Sequence, residues 1–148
     1  MDQLPDVTVT ATDGAPLRLH DQPRPIVIYF YPKDDTAGCT REAQEFSALI
    51  DDFRDAGVGV LGISRDTPKR HANFTAKYDL AVPLASDEDG SACTAFGVWV
   101  EKSMYGRQYM GIERSTFLFG SDGALVQAWR KVKVPGHAAA VLEAARAL

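Results

Sequence analysis

The sequence predicts an α/β fold, a mixed sheet covered by helices on both faces. Three observations carry this. Ile26-Val27-Ile28-Tyr29-Phe30-Tyr31 and Val58-Gly59-Val60-Leu61-Gly62-Ile63 are unalternating, mostly apolar runs, the pattern of strands buried on both faces. Between them Cys39, Ala43, Phe46, Ile50 and Phe53 recur at spacings of three and four, which is a helical period. Near the end, Thr116 to Phe119 and Ala124 to Trp129 flank a Ser121-Asp122-Gly123 turn, and an Ala-rich amphipathic stretch runs from His137 to Leu148. A hairpin and a closing helix are expected there.

The remaining elements follow in order. Val7, Val9 and Ala11 alternate with Thr8 and Thr10, Asp13-Gly14 marks a turn, and Leu17-Arg18-Leu19-His20 alternates again. This predicts an N-terminal β-hairpin. Asp21 to Pro25 and Pro32 to Gly38 are loops. The helix that begins near Cys39 should end at Gly57, since glycine commonly follows a helix C-terminus. Thr67-Pro68 opens a second helix, with threonine as cap and proline at the first helical position, reaching Tyr78. Ala81 to Ala85 reads as a short strand, Asp87 to Gly90 as a turn, and Ser91 to Phe96 as a short helix. The thioredoxin architecture has this order of elements, with an N-terminal β-hairpin added here. The 148 residues suit one domain, 1–148.

Composition narrows the function. Hydrophobic residues make up 45% and charged residues 24%, as in an ordinary globular protein. The net charge of −4 does not suit a phosphate backbone or an anionic lipid surface. The first basic residue is Arg18, after Asp2, Asp6 and Asp13, which is not how a secretion signal begins. No apolar run reaches membrane-spanning length, so a cytoplasmic protein is expected. The two cysteines are too few for a disulfide scaffold. His20, His71 and His137 lack metal-ligand spacing and are expected at the surface or in caps. Gly57-Val58-Gly59-Val60-Leu61-Gly62 matches G-x-G-x-x-G but coincides with a strand, where the dinucleotide fingerprint needs a strand-to-helix turn. Trp99, Tyr105 and Tyr109 could line a substrate mouth or serve packing.

The chemistry points to Cys39. It lies just beyond the carboxyl end of a buried strand, the usual reaction crevice of α/β sheets. It also falls in a first helical turn, where unpaired amides and the helix dipole favour an anion, and a thiolate is the reactive form of cysteine. Thr36 stands three residues earlier, where its hydroxyl can reach the sulfur or a bound oxygen. Pro32 can shield the sulfur from water, and Gly38 permits close backbone approach. Because position 36 is threonine, the chain lacks the Cys-x-x-Cys of a disulfide reductase. The competing reading makes Cys39 a small buried hydrophobe.

The segment Tyr29-Phe30-Tyr31-Pro32-Lys33-Asp34-Asp35-Thr36-Ala37-Gly38-Cys39-Thr40-Arg41-Glu42-Ala43 resembles the active-site segment of the bacterioferritin comigratory protein, or PrxQ, branch of peroxiredoxins, with its Pro-x-x-x-Thr-x-x-Cys motif. The likeness continues at Gly97 to Lys102 and Gly111 to Leu118, and spans most of the chain. It implies a peroxidase that uses Cys39, with Pro32, Thr36 and Arg114 completing the site. The implied substrates are hydrogen peroxide and organic hydroperoxides, with Cys39 becoming a sulfenic acid. No metal, haem or flavin is implied, and relatives of this kind are often monomers. Arg114 also makes physical sense alone, because a fixed guanidinium beside a strand end stabilises both a thiolate and charge on a departing oxygen. Glu42, one turn beyond Cys39, could orient Arg114.

The pattern departs from many relatives at the second, resolving cysteine. Gln44 and Thr75 occupy the two usual positions, which leaves Cys93. The expected role of Cys93 is core packing beside Ala92 and Ala95. The mechanism would then use one cysteine, and an external thiol (thioredoxin, glutaredoxin or a small thiol) would reduce the sulfenic acid. Alternatively Cys93 resolves Cys39, which needs their Cα atoms within about 7 Å. A redox sensor without fast turnover would use the same sulfur, whereas a non-catalytic thioredoxin-fold module would have no use for the Pro32–Thr36–Cys39–Arg114 set.

Overall fold

A computed structural model describes residues 1–148. The N-terminal hairpin pairs β1 (Thr8–Ala11) with β2 (Pro16–Arg18). A short 3-10 turn over Leu19–Asp21 follows, burying Leu19. Next come β3 (Ile26–Phe30), α1 (Ala37–Ala48), α2 (Ile50–Asp55), β4 (Gly59–Ser64) and α3 (Pro68–Tyr78). After them lie β5 (Leu84–Ser86), α4 (Ser91–Ala95), β6 (Trp99–Met104), β7 (Arg107–Ile112), β8 (Ser115–Phe119), β9 (Leu125–Trp129) and α5 (His137–Arg146).

Seven strands form one sheet in the order β2-β1-β5-β4-β3-β8-β9. β3 runs parallel to β4 and antiparallel to β8, so it sits centrally. All five of its residues are buried, which accounts for its lack of alternation. Successive side chains point to opposite faces. Val27 and Tyr29 join a cluster with residues of α1, α2, α3 and α5, while Ile26, Ile28 and Phe30 join a second with α4 and the N-terminal segment. The mixed sheet, the helices on both faces and the edge hairpin match the predicted architecture.

Three elements differ from expectation. The first helix is two, because Leu49 leaves the helical conformation at φ −103° and ψ 6°. Phe46 and Phe53 still meet at 6.0 Å between ring centroids, so the apolar period continues through the break. β5 begins later than Ala81, since the amides of Ala81 and Val82 donate to Ser47 Oγ at 3.0 and 3.1 Å instead of a ladder. The β6–β7 hairpin is a separate two-stranded sheet. Its turn residues Tyr105 and Gly106 have φ of 52° and 78°, the both-positive pattern of a tight hairpin turn. Most of its side chains are exposed, which leaves no apolar alternation to read.

Candidate active site

The carboxyl end of β3 delivers the chain to Pro32, and a short loop leads to α1. Thr36 is the backbone N-cap of α1, with φ −99° and ψ 157°. Its hydroxyl donates to the Lys33 carbonyl at 2.9 Å, making a local turn and not a bond to the sulfur. Thr40 N–H donates the first helical bond, to the Thr36 carbonyl at 2.8 Å. The amides of Gly38 and Cys39 precede it and so belong to the orphan donors of the helix start. Cys39 is the third helical residue and only 2% exposed.

Arg114, just before β8, reaches this turn. Its Nη2 donates to Cys39 Sγ at 3.2 Å and its Nη1 to Glu42 Oε1 at 2.7 Å. Gly38 makes room, since a Cβ there would lie 3.3 Å from Arg114 Nη2. Glu42 is buried, and burial pushes its carboxyl up to about 7 against the opposing pull of Arg114. Behind it Tyr29 stacks on Phe46 with centroids 4.5 Å apart. A Cβ at Gly62 would fall 2.6 Å from the Tyr29 ring. The last glycine of the G-x-G-x-x-G run therefore seats an aromatic ring beneath the site.

A cleft of about 510 Å³ opens beside Pro32, lined among others by Arg65, Trp99, Lys102, Tyr109 and Ile112. The Arg65 guanidinium lies 4.7 Å over the Trp99 ring. Trp99 and Tyr109 thus line a mouth next to the loop, whereas Tyr105 is 98% exposed at the hairpin tip. Burial and the charge of Arg114 lower the Lys102 ammonium from its ordinary value, while Cys39 and Glu113 act against them.

Cys93 lies elsewhere. It is fully buried in the cluster on the opposite face of the sheet from Cys39. Its amide and that of Ala92 donate to the Asp87 carboxylate at 2.8 and 3.0 Å. Burial, with Asp87 adding to it, pushes the Cys93 thiol far above its ordinary value.

Two histidines expected at the surface or in caps are buried, although His137 does open α5 next to its N-cap Gly136. His137, 7% exposed, hydrogen-bonds Thr116 Oγ1 at 2.8 Å. Burial, reinforced by Arg114, lowers its ring to about 4. His71 is 0% exposed, and its Nδ1 lies 2.6 Å from Asp34 Oδ2. His71, Phe74 and Tyr78 lie at helical spacing. That inward-facing period was the available signal, masked by the polarity of histidine.

The family model described as the AhpC/TSA family matches residues 1–128. The peroxiredoxin Bcp of Xanthomonas campestris pv. campestris is 59% identical over 82% of this chain and 76% of that protein. The chain belongs to the AhpC/TSA family, as a peroxiredoxin of the Bcp/PrxQ branch. The peroxiredoxin Bcp of Bacillus subtilis is 41% identical over 94% of this chain and 89% of its own. A solved bacterioferritin comigratory protein of Xanthomonas campestris, studied for its alkyl peroxide reduction activity, superposes with a TM-score of 0.93 at 50% identity. That match covers 99% of this chain and 96% of the other. The fold is the thioredoxin fold of peroxiredoxins, with β4, β3, β8 and β9 as consecutive neighbours in its sheet. In this peroxiredoxin no helix is long and apolar enough to cross a membrane.

Proposed function

We propose that Cys39 is the peroxidatic thiolate of a thiol-dependent peroxidase acting on hydrogen peroxide and organic hydroperoxides. The carrying observation is the Arg114 guanidinium, hydrogen-bonded at once to Cys39 Sγ and Glu42 Oε1. A fixed cation here stabilises negative charge first on sulfur and then on the departing oxygen. The Cys39 sulfur attacks one peroxide oxygen, an S–O bond forms, the O–O bond breaks, and the alkoxide or hydroxide leaves and takes up a proton. Cys39 is left as sulfenic acid. The orphan amides of α1 supply further donors for the two oxygens, and Thr36, whose own hydrogen goes to the Lys33 carbonyl, offers its hydroxyl oxygen as an acceptor for the peroxide O–H. Pro32 walls the site on the cleft side, and Glu42 holds Arg114 in place.

Recycling in this reading uses an external thiol. Two thiol equivalents reduce the sulfenic acid, giving a disulfide and water and restoring Cys39. The burial of Cys93 across the sheet supports this against an intramolecular disulfide. Thioredoxin, glutaredoxin or a small thiol fits the role, with the enzyme acting as a single-domain monomer in the cytoplasm, where such thiols are maintained.

The test is peroxide consumption with excess thiol by wild type and by Cys39→Ser. Catalytic turnover should vanish in the variant, and turnover that survives it would overturn the assignment. Mass spectrometry after one equivalent of peroxide should show one added oxygen on Cys39, while a Cys39–Cys93 disulfide would refute external recycling.

A further inference from the structure

The loop that carries Pro32 and Thr36 is docked onto α3 by a buried polar cluster the reaction does not use. Asp34 is 3% exposed and His71 fully buried. Tyr31 Oη donates to Asp34 Oδ1 at 2.5 Å. The other carboxylate oxygen lies 2.6 Å from His71 Nδ1, and His71 Nε2 lies 3.0 Å from the Ala85 carbonyl. That carbonyl only accepts, so Nε2 carries a hydrogen, and one further proton lies between Nδ1 and Oδ2. Both ring nitrogens are thereby engaged. Asp34, Asp66 and His71 offer ligand atoms within 4.8 Å of one another, but the imidazole keeps no lone pair free for a cation.

The backbone is held too. Asp34 N–H donates to Asp66 Oδ2 at 2.9 Å, and Ser64 Oγ donates to the same oxygen at 2.6 Å. Beside them Asp35 has a left-handed φ of 60°, unusual for a residue with a side chain. Its carboxylate accepts from Lys77 Nζ at 2.8 Å and Tyr78 Oη at 2.6 Å. A strained residue persists where its surroundings over-determine it.

We infer that Asp34 and His71 are positioning residues for the peroxide step, holding the Pro32–Thr36 loop and the first turn of α1 on α3 in the peroxide-accepting conformation. The inference rests on the assignment of Cys39 above. It has a consequence that a merely stabilising pair would not produce. Cys39 is 2% exposed, so a bulky thiol reaches its sulfenic acid only when this turn loosens, whereas a small peroxide needs it closed. Weakening the dock should therefore slow oxidation of Cys39 without slowing its reduction.

The experiment measures the two half-reactions separately by stopped-flow fluorescence, in variants checked for folding by circular dichroism. Asp34→Ala should be oxidised about tenfold to a hundredfold more slowly, the range expected for a misplaced reacting geometry. Its reduction by external thiol should be unchanged or faster. Asp34→Asn should keep its oxidation rate within a few-fold, because its amide can donate to His71 Nδ1 and its carbonyl accept from Tyr31 Oη. Should Asp34→Ala fail to fold, Tyr31→Phe decides, since it removes one donor and opens no cavity; a several-fold loss confined to oxidation is expected. Wild-type oxidation in the folded variant, an equal loss in both half-reactions, or Asp34→Asn as slow as Asp34→Ala would overturn the inference. Each result is distinct from failure of the Cys39 assignment, which appears as turnover in Cys39→Ser.

Discussion

Arg114 Nη2 lies 3.2 Å from Cys39 Sγ, and that approach depends on Gly38, whose missing Cβ leaves room for the guanidinium. We predict that Gly38→Ala separates stability from activity. Alanine favours the helix by about 0.5–1 kcal/mol over glycine, so the melting temperature should hold or rise. The new Cβ would press on Nη2 at 3.3 Å and displace the guanidinium. Oxidation of Cys39 by peroxide should fall about tenfold. An unchanged rate, read by stopped-flow fluorescence, would show that the contact is dispensable.

Arg114→Lys keeps the charge and loses the fork that spans sulfur and carboxylate. The expected loss is about a hundredfold in the peroxide rate constant, comparable to deletion of one donor from a charge-stabilising site. Peroxide kinetics under saturating thiol check this, and a loss of less than threefold would count against bidentate placement.

Glu42 and His137 make opposite contributions to stability against pH. The folded Glu42 carboxyl, at about 7 against an ordinary 4.5, binds its proton more tightly than in the unfolded chain. Its contribution is therefore lost as pH rises from 4.5 to 7, by at most about 3 kcal/mol. His137, at about 4 against 6.5, is neutral in the fold, so its contribution is lost as pH falls from 6.5 towards 4. The two nearly cancel where the windows overlap. In Glu42→Gln the melting temperature should climb with pH across that overlap, and a slope equal to wild type would refute the burial effect.

Gly62→Ala should cost about 1–3 kcal/mol by overpacking, because the added carbon would sit 2.6 Å from the Tyr29 ring. Urea denaturation measures it, and a midpoint equal to wild type would mean the ring moves freely.

Cys93→Ala should leave turnover with an external thiol within about twofold of wild type, since Cys93 is buried across the sheet from Cys39. Peroxide consumption at fixed thiol checks this, and loss of most turnover would restore Cys93 as the resolving thiol.

Much of this molecule could be read from its sequence, for local physical reasons. The β3 run announced a central strand because both its faces are buried. The start of α3 was marked by Thr67, whose hydroxyl accepts from Arg70 N–H at 3.2 Å. The Cys39–Arg114 meeting was expected through family resemblance and a charge argument, since 75 residues separate the two. The Asp34–His71 pair was not foreseen, because polarity argued for the surface while a partner 37 residues away made burial tolerable. The β6–β7 hairpin escaped because pairing rather than burial holds it, and Tyr105 occupies a turn position usually given to Asn, Asp or Gly.

The sheet between the two cysteines sets a waiting time. An internal partner would meet oxidised sulfur at a rate fixed by the protein, whereas an external one arrives at a rate set by its concentration. On the one-cysteine reading, scarce thiol leaves the sulfenic acid standing, and a second peroxide can carry it to the sulfinic state, which thiols do not reverse. On that reading, the burial of Cys93 makes the lifetime of each enzyme molecule depend on the ratio of thiol to peroxide around it.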